Sequence, residues 1–318
     1  MASTPSATNA APRRHKKIVV IMGPTGCGKS KLSVDLASRF FPSSEIINSD
    51  KIQIYRGLDI TTNKMPLPER KNVPHHLLGD FDASESRPEF TALDFRTAAS
   101  SAISQIASRR KTPFLVGGSN SFVYALLAKT LDPDWGAVFD ETNSEDDSVF
   151  CKELRYSCCF IWVDVSKPVL KEYLSKRVDE MLDSGMFEEL AQYFASNDLD
   201  PPSQCGLNKA IGVPEFARYF KRFGSDGVAR DDEDEVERKR AYEEAVRAVK
   251  ENTCHLAKRQ LEKIMRLRDG AGWDLKRVDS TASLRAAMEG GGRRRLADIW
   301  ERDVVEPSVK IVKKFLTE

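Results

Sequence analysis

The chain has 318 residues, a formal net charge of +1, and a composition that is 41% hydrophobic and 31% charged, as in ordinary globular proteins. The near balance of acidic and basic residues excludes a protein whose whole surface attracts nucleic acid. No apolar run reaches the roughly 18 residues that a membrane span needs. The six cysteines show neither CxxC pairs nor zinc spacing to histidine, so we expect reduced thiols in a reducing compartment.

The N-terminal end, residues 1–16, is predicted to be a flexible tail that precedes the fold. Its first residues, Met1 to Arg13, include Ala, Ser, Thr and Pro and no acid. This composition resembles part of an organelle transit peptide. We therefore expect a plastid location, with the cytoplasm as the alternative if the segment is only a disordered tail.

The first predicted unit is a strand, a glycine-rich turn and a helix. Lys17–Met22 is an apolar run typical of a buried strand, and Leu32, Leu36 and Phe40 recur at helical spacing within Lys29–Phe40. Further strands are predicted at Glu45–Asn48, Pro113–Val116 and Phe160–Asp164, and further helices at Thr91–Arg109, from a capping Ser166 onward, and at Arg238–Arg268.

Three polar stretches are predicted as loops, namely Gly57–Pro88, the acidic interval Lys129–Lys152 and the acidic run Asp231–Glu237. The alternation of strands and helices indicates an α/β fold with a parallel sheet. The glycine-rich turn after the first strand, a phosphate-binding pattern, makes the predicted fold a P-loop NTPase-like parallel sheet flanked by helices, with a smaller helical subdomain. We predict the core over 17–198, the helical subdomain over 199–268, and a C-terminal segment, 269–318, that returns to the core.

The glycine-rich turn matches the phosphate-binding pattern G-x-x-x-x-G-K-[ST] between a strand and a helix. In such a loop the backbone N–H groups point inward, the helix start adds positive potential, the lysine adds a charge, and the serine hydroxyl can bind Mg²⁺. The predicted diphosphate-binding residues are Gly23, Pro24, Thr25, Gly26, Cys27, Gly28, Lys29 and Ser30, with Ser30 also the predicted Mg²⁺ ligand.

The loop alone does not identify the reaction. Most P-loop proteins transfer or hydrolyse a γ-phosphate and need an acidic residue on a neighbouring strand to hold the metal. The strand at Phe114–Val116 ends in Gly117–Gly118, and Asp164 after the next strand either holds the metal or caps the following turn. An NTPase or a small-molecule kinase remains an open alternative at this point.

Asp50 directly follows a predicted strand, so its carboxylate is expected at the edge of the sheet where ligands bind in doubly wound folds. A carboxylate there can orient a metal or act as a general base. The alternative is that Ser49–Asp50 merely caps the following turn.

Eight motifs that follow one another along the chain resemble those of a known family. They are GPTGCGKS, INSDKIQIYRGLDITTNK, PHHLL, ESRPEFTALDFR, FLVGGSNSFVYALL, RVDEMLDSGMFEEL, KAIGVPEF and LAKRQLEKI, between about Lys17 and Asp279. The chain resembles the isopentenyltransferase family that prenylates adenine N6. That family contains the tRNA dimethylallyltransferases and the adenylate isopentenyltransferases of cytokinin synthesis, and the plant adenylate branch is the more similar.

The resemblance implies that the loop holds the diphosphate of dimethylallyl diphosphate, the leaving group, with Mg²⁺ as cofactor. It also implies that Asp50 is the base that accepts the proton of N6 and that Thr25 approaches the leaving oxygen. Arg177 matches an arginine that reaches the diphosphate, and Lys209 is a candidate for the phosphates of the acceptor nucleotide. The expected partners are dimethylallyl diphosphate and AMP, ADP or ATP, without a membrane.

Other conspicuous residues are predicted to be structural. His75 and His76 have no third ligand for a metal, and the resemblance treats PHHLL as structural. Phe122 and Tyr124 are expected in the core rather than in a prenyl pocket.

A free nucleotide is favoured over tRNA as acceptor. The chain stops soon after LAKRQ without a Cys₂His₂ element, Lys129–Lys152 is a poor surface for phosphates, and Gly212–Glu215 stands where tRNA enzymes carry a GYRQ-like stretch. Against this, Arg238–Arg268 holds many basic residues. Prenylation of tRNA is therefore the alternative activity, and a nucleotide-binding switch without turnover is the non-enzymatic one.

Overall fold

The computed structural model describes residues 15–83, 89–131, 139, 150–196, 205–224 and 232–318. These residues contain a six-stranded, wholly parallel sheet with the strand order β3-β2-β4-β1-β5-β6. The strands are β1 (Lys17–Met22), β2 (Ser44–Asn48), β3 (His75–His76), β4 (Thr112–Val116), β5 (Ser157–Asp164) and β6 (Leu275–Asp279).

Helices connect and cover the strands, as parallel connections require. They are α1 (Lys29–Arg39), α2 (Ala92–Ser108), α3 (Asn120–Leu127), α4 (Lys167–Asp183), α5 (Met186–Ser196), α6 (Val213–Phe223), α7 (Asp232–Asp269), α8 (Thr281–Met288), α9 (Arg293–Trp300) and α10 (Glu306–Thr317). Short 3₁₀ turns lie at Leu67–Arg70 and Gly206–Lys209, and a π-helical turn, Glu301–Val305, joins α9 to α10.

The strand β1 lies inside the sheet, and its residues Ile18–Met22 are at most 1% exposed. This explains its continuous apolar run, because a strand buried on both faces has no polar side. Helices α2, α3 and the end of α7 pack on one face of the sheet. Helices α1, α4 and the C-terminal helices pack on the other face. The predicted α/β sheet with flanking helices is confirmed.

A third apolar cluster lies outside the two sheet faces. It joins the end of α4 to α5, α6 and the first half of α7, with Phe216 and Phe220 among its most buried aromatic rings. Helix α7 continues from this cluster to the sheet. The predicted boundaries of the core and the helical subdomain stay predictions.

Three expectations about local structure were wrong. The acidic run predicted as a loop is the start of α7, which begins at Asp232, because carboxylates are stabilised at the positive end of a helix. Within the interval predicted as a solvated loop, Phe139 and Phe150 are buried against Tyr124, although most of that interval lies outside the described residues. Ser166 stands at the N-cap of α4, but its side chain makes no capping hydrogen bond.

The structural roles predicted for the histidines and two aromatic residues are confirmed. His75 and His76 form β3, and His76 Nε2 lies 2.7 Å from a carboxylate oxygen of Glu45. Phe122 and Tyr124 are buried in the core. In the described part of the chain, no helix is long and apolar enough to cross a membrane.

Candidate active site

The loop between β1 and α1 is packed closely against its neighbours. A Cβ atom on Gly23 would lie 2.4 Å from the carbonyl oxygen of Val163. Gly28 has φ of +92°, a left-handed conformation that favours glycine. A side chain at either position would force the loop to move.

Lys29 occupies the inside of this loop. The residue is only 8% exposed, and its Nζ donates to the carbonyl oxygen of Pro24 at 2.7 Å. The backbone amides of Gly26 and Gly28 donate to no other described residue. Burial raises the pKa of Cys27, so its thiol stays protonated and is not a nucleophile. The loop therefore leaves the amides of Gly26 and Gly28 free to bind an anion and keeps the Lys29 ammonium inside it.

Thr25 is held by two side chains from distant parts of the chain. Its hydroxyl accepts a hydrogen bond from Arg177 Nη2 at 3.0 Å. Its backbone N–H donates to Oε1 of Gln260, on α7, at 2.6 Å. The structure thus brings together Thr25 and Arg177, which are separated by 152 positions in the sequence.

Arg177 carries an incompletely satisfied charge. Burial lowers the pKa of its guanidinium below the ordinary value, and its buried Nε has no hydrogen-bond partner. No carboxylate of a described residue pairs with it. Because a charge with a buried, unpartnered donor and no counter-ion is costly, this arrangement indicates a site for an anionic ligand.

Asp50 follows β2 at the same edge of the sheet. Its Oδ1 accepts the backbone N–H groups of Ile52 at 2.9 Å and Gln53 at 3.2 Å. No described residue donates to Oδ2. The segment after β4 approaches Ser49 closely because Gly117 has no side chain. A Cβ on Gly117 would lie 2.1 Å from the carbonyl oxygen of Ser49. The capping alternative and the functional one therefore coexist, since one oxygen caps and the other stays available.

A single cavity of about 320 Å³ unites the predicted residues Thr25, Asp50, Arg177 and Lys209 in its lining. The other residues of the loop do not line it. Gly26 and Gly28 instead line a separate cavity of about 370 Å³, beside Trp300. Thr25 is therefore the loop residue that faces the same space as the Asp50 carboxylate.

Two candidate residues are engaged in ion pairs. Lys209 Nζ lies 2.5 Å from a carboxylate oxygen of Glu89. Asp164 Oδ2 accepts from Arg277 Nε at 2.7 Å, and no described backbone N–H donates to this carboxylate, so it does not cap the following turn. Among the residues described, no group of three His, Cys, Asp or Glu side chains could hold a metal ion.

One wall of the cavity is supplied by α7 and is not indicated by the sequence patterns above. Six of its residues line the cavity at helical spacing, namely Val249, Thr253, Leu256, Arg259, Gln260 and Lys263. Glu189 is likewise not indicated by those patterns, and its carboxylate accepts the backbone N–H groups of Ile60 and Thr61 and so holds another wall. The mixed composition of the α7 stripe concealed it, since an apolar stripe is the usual signal.

Comparison with known proteins points to one family. The family model described as IPP transferase matches residues 53–154 and 136–266. An adenylate isopentenyltransferase of Humulus lupulus is 56% identical over 304 residues, covering 94% of this chain and 90% of the relative. A chloroplastic adenylate isopentenyltransferase of Arabidopsis thaliana is 51% identical, covering 96% of this chain and 82% of the relative.

Solved structures show the same fold. A eukaryotic dimethylallyltransferase acting on tRNA superposes with a TM-score of 0.72 at 24% identity, covering 95% of this chain and 80% of that chain. The tRNA isopentenylpyrophosphate transferase of Bacillus halodurans gives a TM-score of 0.61 at 27% identity, covering 91% and 98%. With the family model and the plant relatives, these likenesses establish that the chain belongs to the IPP transferase family and is a prenyltransferase.

Proposed function

We propose that the protein transfers the dimethylallyl group of dimethylallyl diphosphate to N6 of the adenine of AMP, ADP or ATP, the first step of cytokinin biosynthesis. The observation that carries this proposal is the shared cavity, in which Thr25 and Arg177 face the Asp50 carboxylate. The names of the plant relatives support a free nucleotide as the acceptor.

The donor side of the cavity suits the release of diphosphate. As the allylic C–O bond breaks, negative charge develops on the leaving oxygen. Preorganised donors stabilise such charge most strongly in a site that excludes water. The Thr25 hydroxyl and the Arg177 guanidinium are already in contact with each other, and Lys29 lies inside the loop, so the donors need little reorganisation.

The acceptor side suits proton removal from an amino group. The lone pair of adenine N6 is delocalised into the ring, so N6 attacks carbon only as its proton is removed. Two backbone N–H groups hold Oδ1 of Asp50, and Oδ2 is the oxygen that would take the proton. The N6–C bond forms, the C–O bond breaks, the proton goes to Asp50, and diphosphate leaves with the electron pair.

Mg²⁺ is proposed as the cofactor, bound together with the diphosphate. Such an ion needs only one or two protein ligands, since phosphate oxygens and water complete its shell. The exposed Ser30 at the start of α1 fits this arrangement. When bound, the ion supplies further positive charge to the leaving diphosphate.

We propose a plastid location and no role for nucleic acid. Several relatives are named chloroplastic, at 51%, 47% and 48% identity, while another is named mitochondrial.

The relatives named for adenylate are 40 to 56% identical to this chain. The solved structures named for tRNA are 23 to 27% identical.

A competition assay tests the activity. The purified protein receives labelled dimethylallyl diphosphate, Mg²⁺, and AMP, ADP, ATP and tRNA in parallel, and the products are identified by mass spectrometry. We expect one dimethylallyl group on a free nucleotide and one released diphosphate. Label on tRNA alone would establish the alternative activity, γ-phosphate in the product would indicate a kinase, and binding without turnover would indicate a switch.

A further inference from the structure

Gln260 lies where α7 passes between two loops of the site. Its side chain is 7% exposed. Oε1 accepts the Thr25 N–H at 2.6 Å, and its backbone carbonyl accepts Asn120 Nδ2 at 2.9 Å. Gln260 thus connects α7 to the loop after β1 and to the start of α3.

The bond to Thr25 has a specific consequence for the loop. An amide that donates to a side chain is turned away from the anion, whereas the amides of Gly26 and Gly28 remain without a described acceptor. Gln260 therefore fixes the backbone orientation of Thr25. Because the hydroxyl projects from that backbone, Gln260 also sets the direction in which Thr25 Oγ1 meets Arg177.

The absence of a side chain at Gly118 leaves room for the side chain of Gln260. A Cβ on Gly118 would lie 2.4 Å from Nε2 of Gln260 and 3.1 Å from its Cδ. Real Cβ contacts are not this short, so any side chain at Gly118 displaces the end of Gln260. The conformation of Gly118 is not left-handed, and alanine there is expected to act through this contact rather than through backbone strain.

We propose that Gln260 is a positioning residue of the transfer reaction, which holds Thr25 so that its hydroxyl faces the leaving oxygen of the diphosphate. This inference rests on the proposed function, because the role of Thr25 does. Its physical basis is that a misplacement of about 1 Å at a reacting group costs on the order of 10²-fold in rate.

The variant Gln260→Leu tests the inference, since leucine keeps most of the bulk and removes the acceptor. We expect kcat to fall about 10- to 100-fold, with the donor KM and the affinity for inorganic diphosphate changed by less than about 3-fold, because the other loop donors remain. Gly118→Ala is expected to reproduce the loss of kcat. Lys258→Ala, at an exposed position of α7, is the matched control and keeps wild-type rates.

A double-mutant cycle separates positioning from a general structural effect. If Gln260 acts through the Thr25 hydroxyl, then Gln260→Leu costs less than about 3-fold in the background of Thr25→Ala. Equal costs in both backgrounds, or an unchanged kcat in Gln260→Leu, would overturn the inference. The melting temperature of each variant shows that it is folded, and Gly118→Ala tests the same contact while Gln260 itself stays intact.

The proposed function is judged separately. A wild-type protein that makes no prenylated adenine product refutes the proposed function, and this inference with it. A wild-type protein that makes the product, combined with additive costs in the cycle, refutes the inference alone.

Discussion

Two charged side chains lie at opposite edges of the sheet and differ in how they are satisfied. Glu45, near the amino end of β2, is 3% exposed and contacts His76, Arg109 and Lys111, each at 2.7 to 2.8 Å. Arg177, at the carboxyl edge, contacts one neutral hydroxyl and has a buried Nε without a partner. The charge of Glu45 is balanced by partners within the protein, and the charge of Arg177 is not.

This difference in charge partners shows where the fold favours stability and where it favours binding. When a buried carboxylate has several cationic partners, the loss of those ion pairs is costly to stability. A buried cation without a counter-ion lowers stability and persists where a ligand supplies the missing charge. The carboxyl edge is therefore the edge at which the protein is expected to gain stability upon binding diphosphate.

The largest expected effect comes from Asp50, whose carboxylate is half satisfied. Asp50→Ala is expected to lower kcat by about 10³-fold or more, near the upper range for the loss of a general base. The affinity for inorganic diphosphate is expected to stay within about 3-fold of wild type, since the loop donors remain. Steady-state kinetics and calorimetry measure the two quantities.

Asp82→Asn is the matched control for this variant. Asp82 is an exposed carboxylate in an ion pair with Arg56, and its loss leaves kcat unchanged. Normal turnover of Asp50→Ala would remove the base from the mechanism and would place Asp50 among the purely structural carboxylates.

Arg177→Met tests the incomplete charge directly. We expect kcat/KM for the donor to fall by about 10²- to 10³-fold, as for the loss of one donor to a developing anion. The melting temperature is expected to stay equal or to rise, because a partly buried charge without a counter-ion is removed. Lys176→Met, at the exposed neighbouring position of α4, is the control. A large loss of stability in Arg177→Met would abolish the contrast with Glu45.

Glu45→Gln tests the complete charge. We expect a loss of about 3 kcal/mol in the free energy of unfolding, because Arg109, Lys111 and the His76 ring lose a buried carboxylate partner. The rate of the folded enzyme is expected to stay at the wild-type value, since Glu45 lies at the opposite edge. Urea unfolding gives the free energy, and Glu153→Gln, which loses only an exposed ion pair, leaves the unfolding midpoint unchanged.

The same carboxylate predicts a pH dependence. Burial raises the pKa of Glu45, but the hydrogen bonds from Lys111, His76 and Arg109 outweigh it and lower the pKa from its ordinary 4.5 to about 2. A depressed carboxyl pKa stabilises the fold fully above the unfolded value and progressively less as pH falls toward the folded value. The difference between wild type and Glu45→Gln is therefore expected to shrink between pH 4.5 and pH 2. A constant difference over this window would contradict the ion-pair explanation.

The sequence predicted the sheet and one half of the site because both depend on local patterns. The apolar run at Ile18–Met22 and the glycine pattern after it specify a buried strand and a phosphate loop without reference to the rest of the chain. The position of Asp50 follows from the rule that parallel strands end at a common edge.

The remainder of the site depends on contacts across long separations. The bond between Gln260 and Thr25 spans 235 positions, and the ion pair that occupies Asp164 spans 113. Neither leaves a periodic signal in the sequence. The acidic start of α7 was misassigned for a related reason, since a charge run is typical of a solvated loop unless the helix that follows is known to extend into it.

The smallest expected effect concerns Lys209, which lines the cavity but already has a carboxylate partner within the protein. Its ammonium lines the cavity but pairs with the half-exposed Glu89. Such a pair contributes roughly 0.2 to 1 kcal/mol, so an acceptor phosphate that binds Lys209 must compete with Glu89. Glu89→Gln is therefore expected to lower the acceptor KM by about 1.4- to 5-fold, which corresponds to that energy. The decrease is expected to be greater for ATP than for AMP, and an equal or higher KM for every nucleotide would show that Lys209 does not contact the acceptor.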